Sequence, residues 1–171
     1  MVESPQVFKS DLIQKFVLGE IQKKQWIYKI ISGERESERI IASDEDLIVL
    51  PDLDLTDVLN WMVIFKDPSL FCIRNLEGRH IPLLRKARKF VQSVMGEAQF
   101  DKSMVYFHYP PSVWQLHLHV VASCDSLRTT NSMQKVFFLD DVISFLEIDP
   151  EFFHKATLSF VVPVHDANTT S

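Results

Sequence analysis

The chain has 171 residues, a size typical of one domain and sufficient to bury about 70% of the surface of the unfolded chain. An apolar content of 46% and a charged content of 24% are typical of a globular protein and exclude intrinsic disorder. The net charge of −5 argues against non-specific binding to long nucleic acids, which requires a basic face, but it permits a small anionic ligand.

The periodicity of apolar residues and the positions of turn residues predict an α+β domain in which helices flank an antiparallel sheet. In chain order, the predicted elements are a helix over 6–31, strands over 39–43 and 47–50, a helix over 56–65, a helix over 81–96, strands over 103–109 and 114–122, a helix over 137–146 and a strand over 156–164. Gly33 is placed to end the first helix, Thr56 to cap the second, and Pro82 to lie in the first turn of the third. The strands over 103–109 and 114–122 are expected to form a hairpin.

The second strand of this hairpin carries an alternation of polar and apolar residues. Successive side chains of a strand point to opposite faces, so Gln115, His117 and His119 share one face while Leu116 and Leu118 face a core. Side chains two apart lie roughly 6.5–7 Å from each other, which suits a compact polar ligand held from several points. The structural alternative is a half-exposed strand that happens to carry two histidines. No third and fourth ligand stand at a spacing that suits zinc, so neither a metal nor a cofactor is predicted.

The stretch 107–119 resembles the active-site hairpin of the scavenger mRNA decapping enzymes, which are histidine-triad (HIT) hydrolases. Further stretches match this family in the same order, namely Trp26-Ile27-Tyr28, Glu36 with Glu38-Arg39-Ile40, Val49-Leu50-Pro51-Asp52-Leu53, Ile81-Pro82-Leu83-Leu84-Arg85, 146–150 and 157–160. The resemblance covers residues 26–162 and implies a HIT-like antiparallel sheet flanked by helices. It implies a catalytic domain, which we place over 26–165. Apolar spacing predicts a helical N-terminal segment over 1–25, and the polar end of the chain predicts a flexible tail over 166–171.

The resemblance implies hydrolysis of the triphosphate bridge of a 7-methylguanosine cap, on a cap dinucleotide or a short capped RNA remnant, with release of 7-methylguanosine monophosphate. His117 stands at the central position of the triad, where the family's histidine attacks phosphorus and forms a nucleotidyl-imidazole that water resolves. His119 and Gln115 flank it and would stabilise the phosphate oxygens in the transition state. His108 is expected to contact the phosphates, and Ser112 to bind the substrate.

The resemblance also implies a site for the methylated base. This base is cationic and favours a sandwich between an aromatic face and an apolar side chain, with acidic groups at its edge. Trp26 and Leu53 stand at the positions of the sandwich, and Glu36 and Asp52 at the positions of the acidic contacts. The structural alternatives are a core position for Trp26 and a solvated loop position for Glu36.

Four differences from the family pattern stand out. Gln115, Asp54 and Val113 lie on the phosphate side, and the fourth difference is a rearranged loop through Arg128. Gln115 replaces the first triad histidine, and so keeps a donor but loses proton transfer. Asp54 replaces a usual lysine and would repel a triphosphate by an amount on the order of 1–4 kcal/mol. Val113 replaces a usual tyrosine. Lys135 keeps the charge of a phosphate-contacting arginine without its bidentate fork, and Arg128 is a candidate for restoring lost positive charge.

These departures leave two further hypotheses open. One is a catalytically weak cap-binding or regulatory protein, and the other is a HIT hydrolase for another nucleotide polyphosphate.

The family implies a homodimer. The two cysteines, Cys72 and Cys124, are too few for a disulfide scaffold and favour a reducing compartment. With no signal-peptide pattern and no run long enough to span a membrane, we expect a cytoplasmic location, or also a nuclear one, and no membrane partner.

Overall fold

The computed structural model describes residues 2–4, 26–34, 37–52, 60–111, 113–121 and 135–159. The strands are β1 (Val2–Glu3), β2 (Ala42–Ser43), β3 (Leu47–Pro51), β4 (Asn60–Phe65), β5 (Met104–Tyr109), β6 (His117–Val121), β7 (Lys135–Phe138) and β8 (Leu158–Ser159). The α-helices are α1 (Trp26–Ile31), α2 (Ile81–Met95), α3 (Glu97–Phe100), α4 (Leu139–Ile148) and α5 (Phe152–Lys155), with short 3₁₀ turns at Ser37–Arg39, Ile73–Asn75 and Gly78–His80. Within these ranges, no helix is long and apolar enough to cross a membrane.

Six of the strands form one antiparallel sheet in the order β2-β3-β4-β6-β5-β7. Strand β1 pairs with β8 in a separate two-stranded sheet. The predicted hairpin is confirmed, because β5 and β6 pair antiparallel with Val105 opposite Val120. With helices packed on this sheet, the α+β prediction is confirmed.

One face of the sheet carries the main core. Val63 of β4 and Leu118 of β6 lie opposite each other and are fully buried. They belong to a single apolar cluster with Leu84 of α2 and Leu146 of α4, so these two helices cover this face. Burying each such side chain stabilises the fold by about 1.5–3 kcal/mol, and the central strands therefore hold a fixed register.

Helix α1 packs on the opposite face of the sheet. Ile27 and Ile30 of this helix pack against Ile48 of β3 and Ile64 of β4 in a second, smaller apolar cluster. Helix α1 ends at Ile31, just before Gly33 as predicted, and the φ of +77° at Gly33 suits glycine. The part of the predicted helix over 6–25 lies outside the described residues. The amide of Gly33 donates to the carbonyl of Ile30 at 3.1 Å, which is one of the two bonds of a Schellman cap.

One predicted element is wrong, and another begins two residues later than predicted. Residues 60–65 were predicted to be part of a helix over 56–65, but they form strand β4. Residues 53–59 lie outside the described ranges. Strand β4 lies in the middle of the sheet and is buried on both faces, so it lacks the alternation that marks a half-buried strand. The helix predicted over 137–146 begins instead at Leu139, after the edge strand β7. The strand predicted over 156–164 is described only at Leu158–Ser159.

The long helix over 81–96 is confirmed as α2, with Pro82 in its first turn. Helix α2 ends before Gly96, which has a φ of +86°. Glycine tolerates this left-handed backbone without the steric cost that a Cβ adds.

Candidate active site

The hairpin of β5 and β6 brings three imidazoles together on the face opposite the main core. Tyr106 pairs with His119 across the two strands, and residues two apart on a strand share a face, so His108 stands beside His117 and His119. The ring centroids of His108 and His119 are 4.5 Å apart, and those of His117 and His119 are 5.1 Å apart. The structure thus assembles the three predicted histidines into one group, called the histidine cluster below.

His117 is held through one of its two ring nitrogens. Its Nδ1 lies 2.7 Å from the main-chain carbonyl oxygen of Gln115. Because a carbonyl oxygen only accepts hydrogen bonds, Nδ1 must carry the proton and Nε2 the lone pair. Nε2 is buried and has no hydrogen-bond partner among the described residues. An attacking imidazole needs this tautomer, with a free lone pair on the nitrogen turned away from the backbone.

Burial keeps two rings of the cluster uncharged. Burial, and after it the neighbouring His119, lowers the pKa of His117 to about 4. Burial, followed by the proximity of His119 and His117, likewise lowers the pKa of His108 to about 4. Both imidazoles are therefore neutral at pH 7, and His117 is in its nucleophilic form.

His119 is oriented by a carboxylate and by an aromatic ring. Its Nδ1 lies 3.2 Å from Oδ2 of Asp52, the residue that follows strand β3. The ring of Tyr106 stacks on the His119 ring, with centroids 5.5 Å apart and planes 17° apart. Burial, with a smaller effect of Asp52, raises the pKa of Tyr106 to about 12. In the described part of the chain, Nε2 of His119 and Nε2 of His108 find no partner, so both nitrogens can serve a ligand.

A cavity of about 10 Å³ lies beside the cluster, and Cys72, His108, Gln115 and His117 contribute to its lining. This volume is close to the minimum that holds one water molecule. His117 itself is only 4% exposed. In this arrangement the cavity is too small for a nucleotide.

Gln115 uses its side chain on the backbone of a neighbouring segment. Its Nε2 donates to the carbonyl oxygen of Phe65 at 2.6 Å and to that of Asp67 at 2.9 Å. A carboxamide nitrogen has two hydrogens, so both are engaged and none remains for a phosphate. The predicted contact of Gln115 with phosphate oxygens stays a prediction, and this arrangement does not supply it.

The residues predicted to bind the base are only partly described. Trp26 begins helix α1, and Asp52 faces His119 of the cluster. Glu36 and Leu53 lie outside the described residues, as does Ser112, a further predicted substrate-binding residue. Their predicted contacts stay predictions. Val113, which stands in place of the family's tyrosine, packs in the small apolar cluster beneath α1.

The structure does not bring Lys135 to the histidine cluster. Strand alternation puts Lys135 and Phe137 on one face of β7, and Val136 and Phe138 on the other. The ammonium of Lys135 lies 5.0 Å from the ring centroid of Phe137, a residue of the main core. Phe138 instead contacts Tyr106 on the histidine face, with centroids 6.4 Å apart. A substrate contact of Lys135 stays a prediction.

Sequence reasoning missed two neighbours of His119. Tyr106 stands two residues before His108 in the predicted strand, so the alternation already places it on the histidine face. The contact of Asp52 with His119 has no comparable signal in the sequence, because it joins segments far apart in the chain.

Among the described residues, no group of three or more His, Cys, Asp or Glu side chains is arranged to hold a metal ion.

The fold is shared with solved structures of low sequence identity. The crystal structure of the aprataxin ortholog Hnt3 in complex with DNA superposes with a TM-score of 0.52 at 18% identity, covering 69% of this chain and 72% of that chain. A structure of Hnt3 in complex with DNA and guanosine gives a TM-score of 0.50 at 18% identity, covering 74% of this chain and 79% of that chain. These similarities confirm the predicted HIT-like fold, an antiparallel sheet flanked by helices.

Sequence comparison identifies the family. A family model described as "Scavenger mRNA decapping enzyme C-term binding" matches residues 25–134. The m7GpppX diphosphatase of Schizosaccharomyces pombe is 31% identical over 147 residues, which cover 80% of this chain and 48% of the relative. That of Ascaris suum is 29% identical over 179 residues, which cover 96% of this chain and 58% of the relative. The chain thus spans about half the length of the curated relatives it matches, and it belongs to the scavenger mRNA decapping enzyme family, through the C-terminal region of that family.

Proposed function

We propose that this protein hydrolyses the triphosphate bridge of a 7-methylguanosine cap dinucleotide, or of a short capped RNA remnant, and releases 7-methylguanosine monophosphate. The observation that carries the proposal is the state of His117. It is a neutral imidazole whose Nδ1–H donates a hydrogen bond to the carbonyl oxygen of Gln115. Its Nε2 has no hydrogen-bond partner in the described ranges. The names of the relatives support the choice of a capped substrate.

The reaction is proposed to run through a nucleotidyl-imidazole. In the first step, Nε2 of His117 forms a bond to the phosphorus next to 7-methylguanosine. The bond from that phosphorus to the bridging oxygen breaks, and the remaining diphosphate end of the substrate leaves. In the second step, water attacks the same phosphorus, the P–N bond breaks and the water gives a proton to the solvent. The overall reaction consumes one water and regenerates the imidazole.

The neighbours of His117 have proposed roles in charge stabilisation. His108 and His119 lie in ring contact within the cluster, and each has a buried Nε2 that finds no partner in the described ranges. Protonated on that nitrogen, either ring can donate to the non-bridging phosphate oxygens, whose charge shifts in the transition state. The carboxylate of Asp52 lies 3.2 Å from Nδ1 of His119 and holds the orientation of this ring within the cluster.

Product analysis tests this proposal. Wild-type protein is incubated with methylated cap dinucleotide beside the variants His117→Asn and His154→Asn, and the products are separated by chromatography. His154 is the matched control, because it is a histidine outside the cluster, near Glu77. Wild type and His154→Asn are expected to release 7-methylguanosine monophosphate. His117→Asn should lower kcat by roughly 1,000-fold or more, the scale on which loss of a catalytic nucleophile acts. A wild-type protein that binds the dinucleotide without cleaving it contradicts the proposal.

A second candidate is a catalytically weak protein that binds the cap and regulates. The engaged donors of Gln115 and the packing of Val113 among apolar residues favour it, because neither side chain supplies a group to the phosphates. This candidate predicts that 7-methylguanosine monophosphate quenches tryptophan fluorescence, that Trp26→Phe reduces the quenching, and that hydrolysis is negligible. Rapid turnover eliminates it. Competition by unmethylated guanosine and adenosine nucleotides separates both candidates from a hydrolase for another nucleotide polyphosphate.

We also propose that the protein works as a homodimer, as the family resemblance implies, and that it is located in the cytoplasm, or also in the nucleus. Light scattering on the purified full chain measures the mass directly. A mass near 20 kDa, that of the single chain, contradicts the dimer. Imaging of a tagged chain in cells tests the location.

A further inference from the structure

Gln115 occupies the position of a triad histidine, yet its side chain is directed to the backbone rather than to the histidine cluster. The residue is fully buried. Its Nε2 bonds to the carbonyl oxygens of Phe65 and Asp67, which stand at the end of strand β4 and just beyond it. Strand β4 is the direct neighbour of β6 in the sheet. The carboxamide therefore ties the segment before β6 to the strand beside it.

The orientation of this carboxamide follows from the chemistry of its neighbours. Both partners are carbonyl oxygens, which only accept, so the nitrogen of the carboxamide must face them. A flipped amide would place an oxygen against two oxygens. The carboxamide oxygen Oε1 is buried and, within the described ranges, has no donor opposite it. An acceptor oxygen cannot stabilise the negative charge of a phosphate, so the side chain does not act as an anion ligand in this arrangement.

The main chain of the same residue holds the nucleophile. The carbonyl oxygen of Gln115 accepts the hydrogen bond from Nδ1 of His117 at 2.7 Å. Gln115 lies before β6 begins at His117, so this carbonyl is outside the ladder of the strand. Its position depends on local anchors, among which are the two bonds of the carboxamide and the bond from the Leu116 amide to the carbonyl of Leu70 at 2.8 Å.

We propose that Gln115 is a positioning residue, whose anchored side chain fixes its own carbonyl so that His117 keeps its proton on Nδ1 and its lone pair on Nε2. The kinetic consequence rests on the proposed function, whereas the tautomer of His117 does not. A neutral histidine at position 115 has one ring N–H, whereas the carboxamide offers two from a single atom, and only two donors satisfy both carbonyls. The glutamine thus replaces a phosphate ligand with a structural anchor for the nucleophile.

The test compares three variants with wild type. Gln115→Met keeps the length of the side chain and removes both donors. Gln115→His restores the residue type of the family and keeps at most part of the anchor. Gln99→Met makes the same chemical change on the exposed surface of α3 and is the matched control.

The first measurement is the protonation of the His117 ring, read from ¹⁵N chemical shifts and assigned by comparison with His117→Asn. Wild type and Gln99→Met are expected to show a single Nδ1–H tautomer. Gln115→Met is expected to show a mixture of the Nδ1–H and Nε2–H forms. An unchanged tautomer in folded Gln115→Met overturns the proposal. If Gln115→Met does not fold, Gln115→His provides the same measurement with the same two outcomes.

The second measurement is turnover of methylated cap dinucleotide. Removing a residue that orients a catalytic group without touching the substrate typically lowers activity about 10–100-fold. The kcat of Gln115→Met should therefore fall by roughly that factor, while KM changes less than about 3-fold. Gln115→His should also lose kcat. A Gln115→His variant with kcat equal to or above wild type overturns the proposal and favours a phosphate contact at this position. If wild type does not cleave the cap at all, the proposed function fails, but the tautomer measurement still decides the role of Gln115.

Discussion

Lowering the pH from 7 to 5 is expected to destabilise the fold through the buried imidazoles of His108 and His117. In the folded protein each has a pKa of about 4, because burial and neighbouring histidines disfavour the charged form, whereas its ordinary value is 6.5. Between these two values, the unfolded chain binds a proton that the folded chain does not. The free energy of unfolding therefore falls as the pH falls through this window.

The magnitude follows from the width of the window. For one imidazole the free energy of unfolding decreases by about 1.4 kcal/mol per pH unit between 6.5 and 4. Integrated from pH 7 to pH 5, this amounts to about 2 kcal/mol for one imidazole. The stabilisation is fully present above pH 6.5. Below pH 4 no further loss occurs, because both states then carry the proton.

Urea unfolding followed by circular dichroism at pH 7 and pH 5 measures this effect. Carboxylates also titrate toward pH 5, so the informative quantity is the difference between wild type and His117→Asn. This variant lacks one of the two imidazoles. Between pH 7 and pH 5 its free energy of unfolding should therefore fall by about 2 kcal/mol less than that of wild type. Gln99→Met, which changes an exposed residue of α3 and removes no titratable group, should keep the wild-type pH dependence. Equal losses in wild type and His117→Asn would refute the reasoning that burial keeps this ring neutral.

Three further predictions concern buried contacts elsewhere in the fold. Arg74→Met should lower the free energy of unfolding by about 3–5 kcal/mol, because the buried guanidinium donates to the carbonyl oxygens of Phe153 and Ala156 at 2.7 and 2.5 Å. A Tm within about 2 °C of wild type contradicts this prediction. Gly78→Ala should destabilise by about 1–3 kcal/mol, because the added Cβ meets Cβ of Pro150 at 2.8 Å; unchanged urea unfolding shows that the contact relaxes freely. Ile30→Ala should cost about 2–5 kcal/mol by opening a cavity beneath α1, and a change below about 1 kcal/mol means that α1 contributes little packing.

The histidine cluster could be predicted from sequence because it depends on a local rule. Strand alternation places His117 and His119 on one face, and a hairpin places His108 on the neighbouring strand. The long helix α2 was predictable for a similar reason, since Pro82 and Gly96 mark its ends within the chain itself.

Other features depend on contacts between distant segments. Strand β4 is apolar on both faces because it lies at the centre of the sheet, and periodicity does not separate such a strand from a buried helix. The direction of the Gln115 carboxamide follows from the carbonyls of Phe65 and Asp67, which become neighbours only when β4 and β6 pair. Lys135 was predicted by its charge, but the register of the edge strand places it on the other face.

The most direct test of the central proposal is to detect the nucleotide bound to His117. Wild-type protein is mixed with methylated cap dinucleotide, quenched within milliseconds at alkaline pH, where phosphoramidates survive, and digested for mass spectrometry. The proposed mechanism predicts a peptide that carries 7-methylguanosine monophosphate on His117, formed and lost at rates that match turnover, and absent from His117→Asn. Turnover by His117→Asn at the wild-type rate, or attachment of the nucleotide to another residue at the catalytic rate, would contradict it.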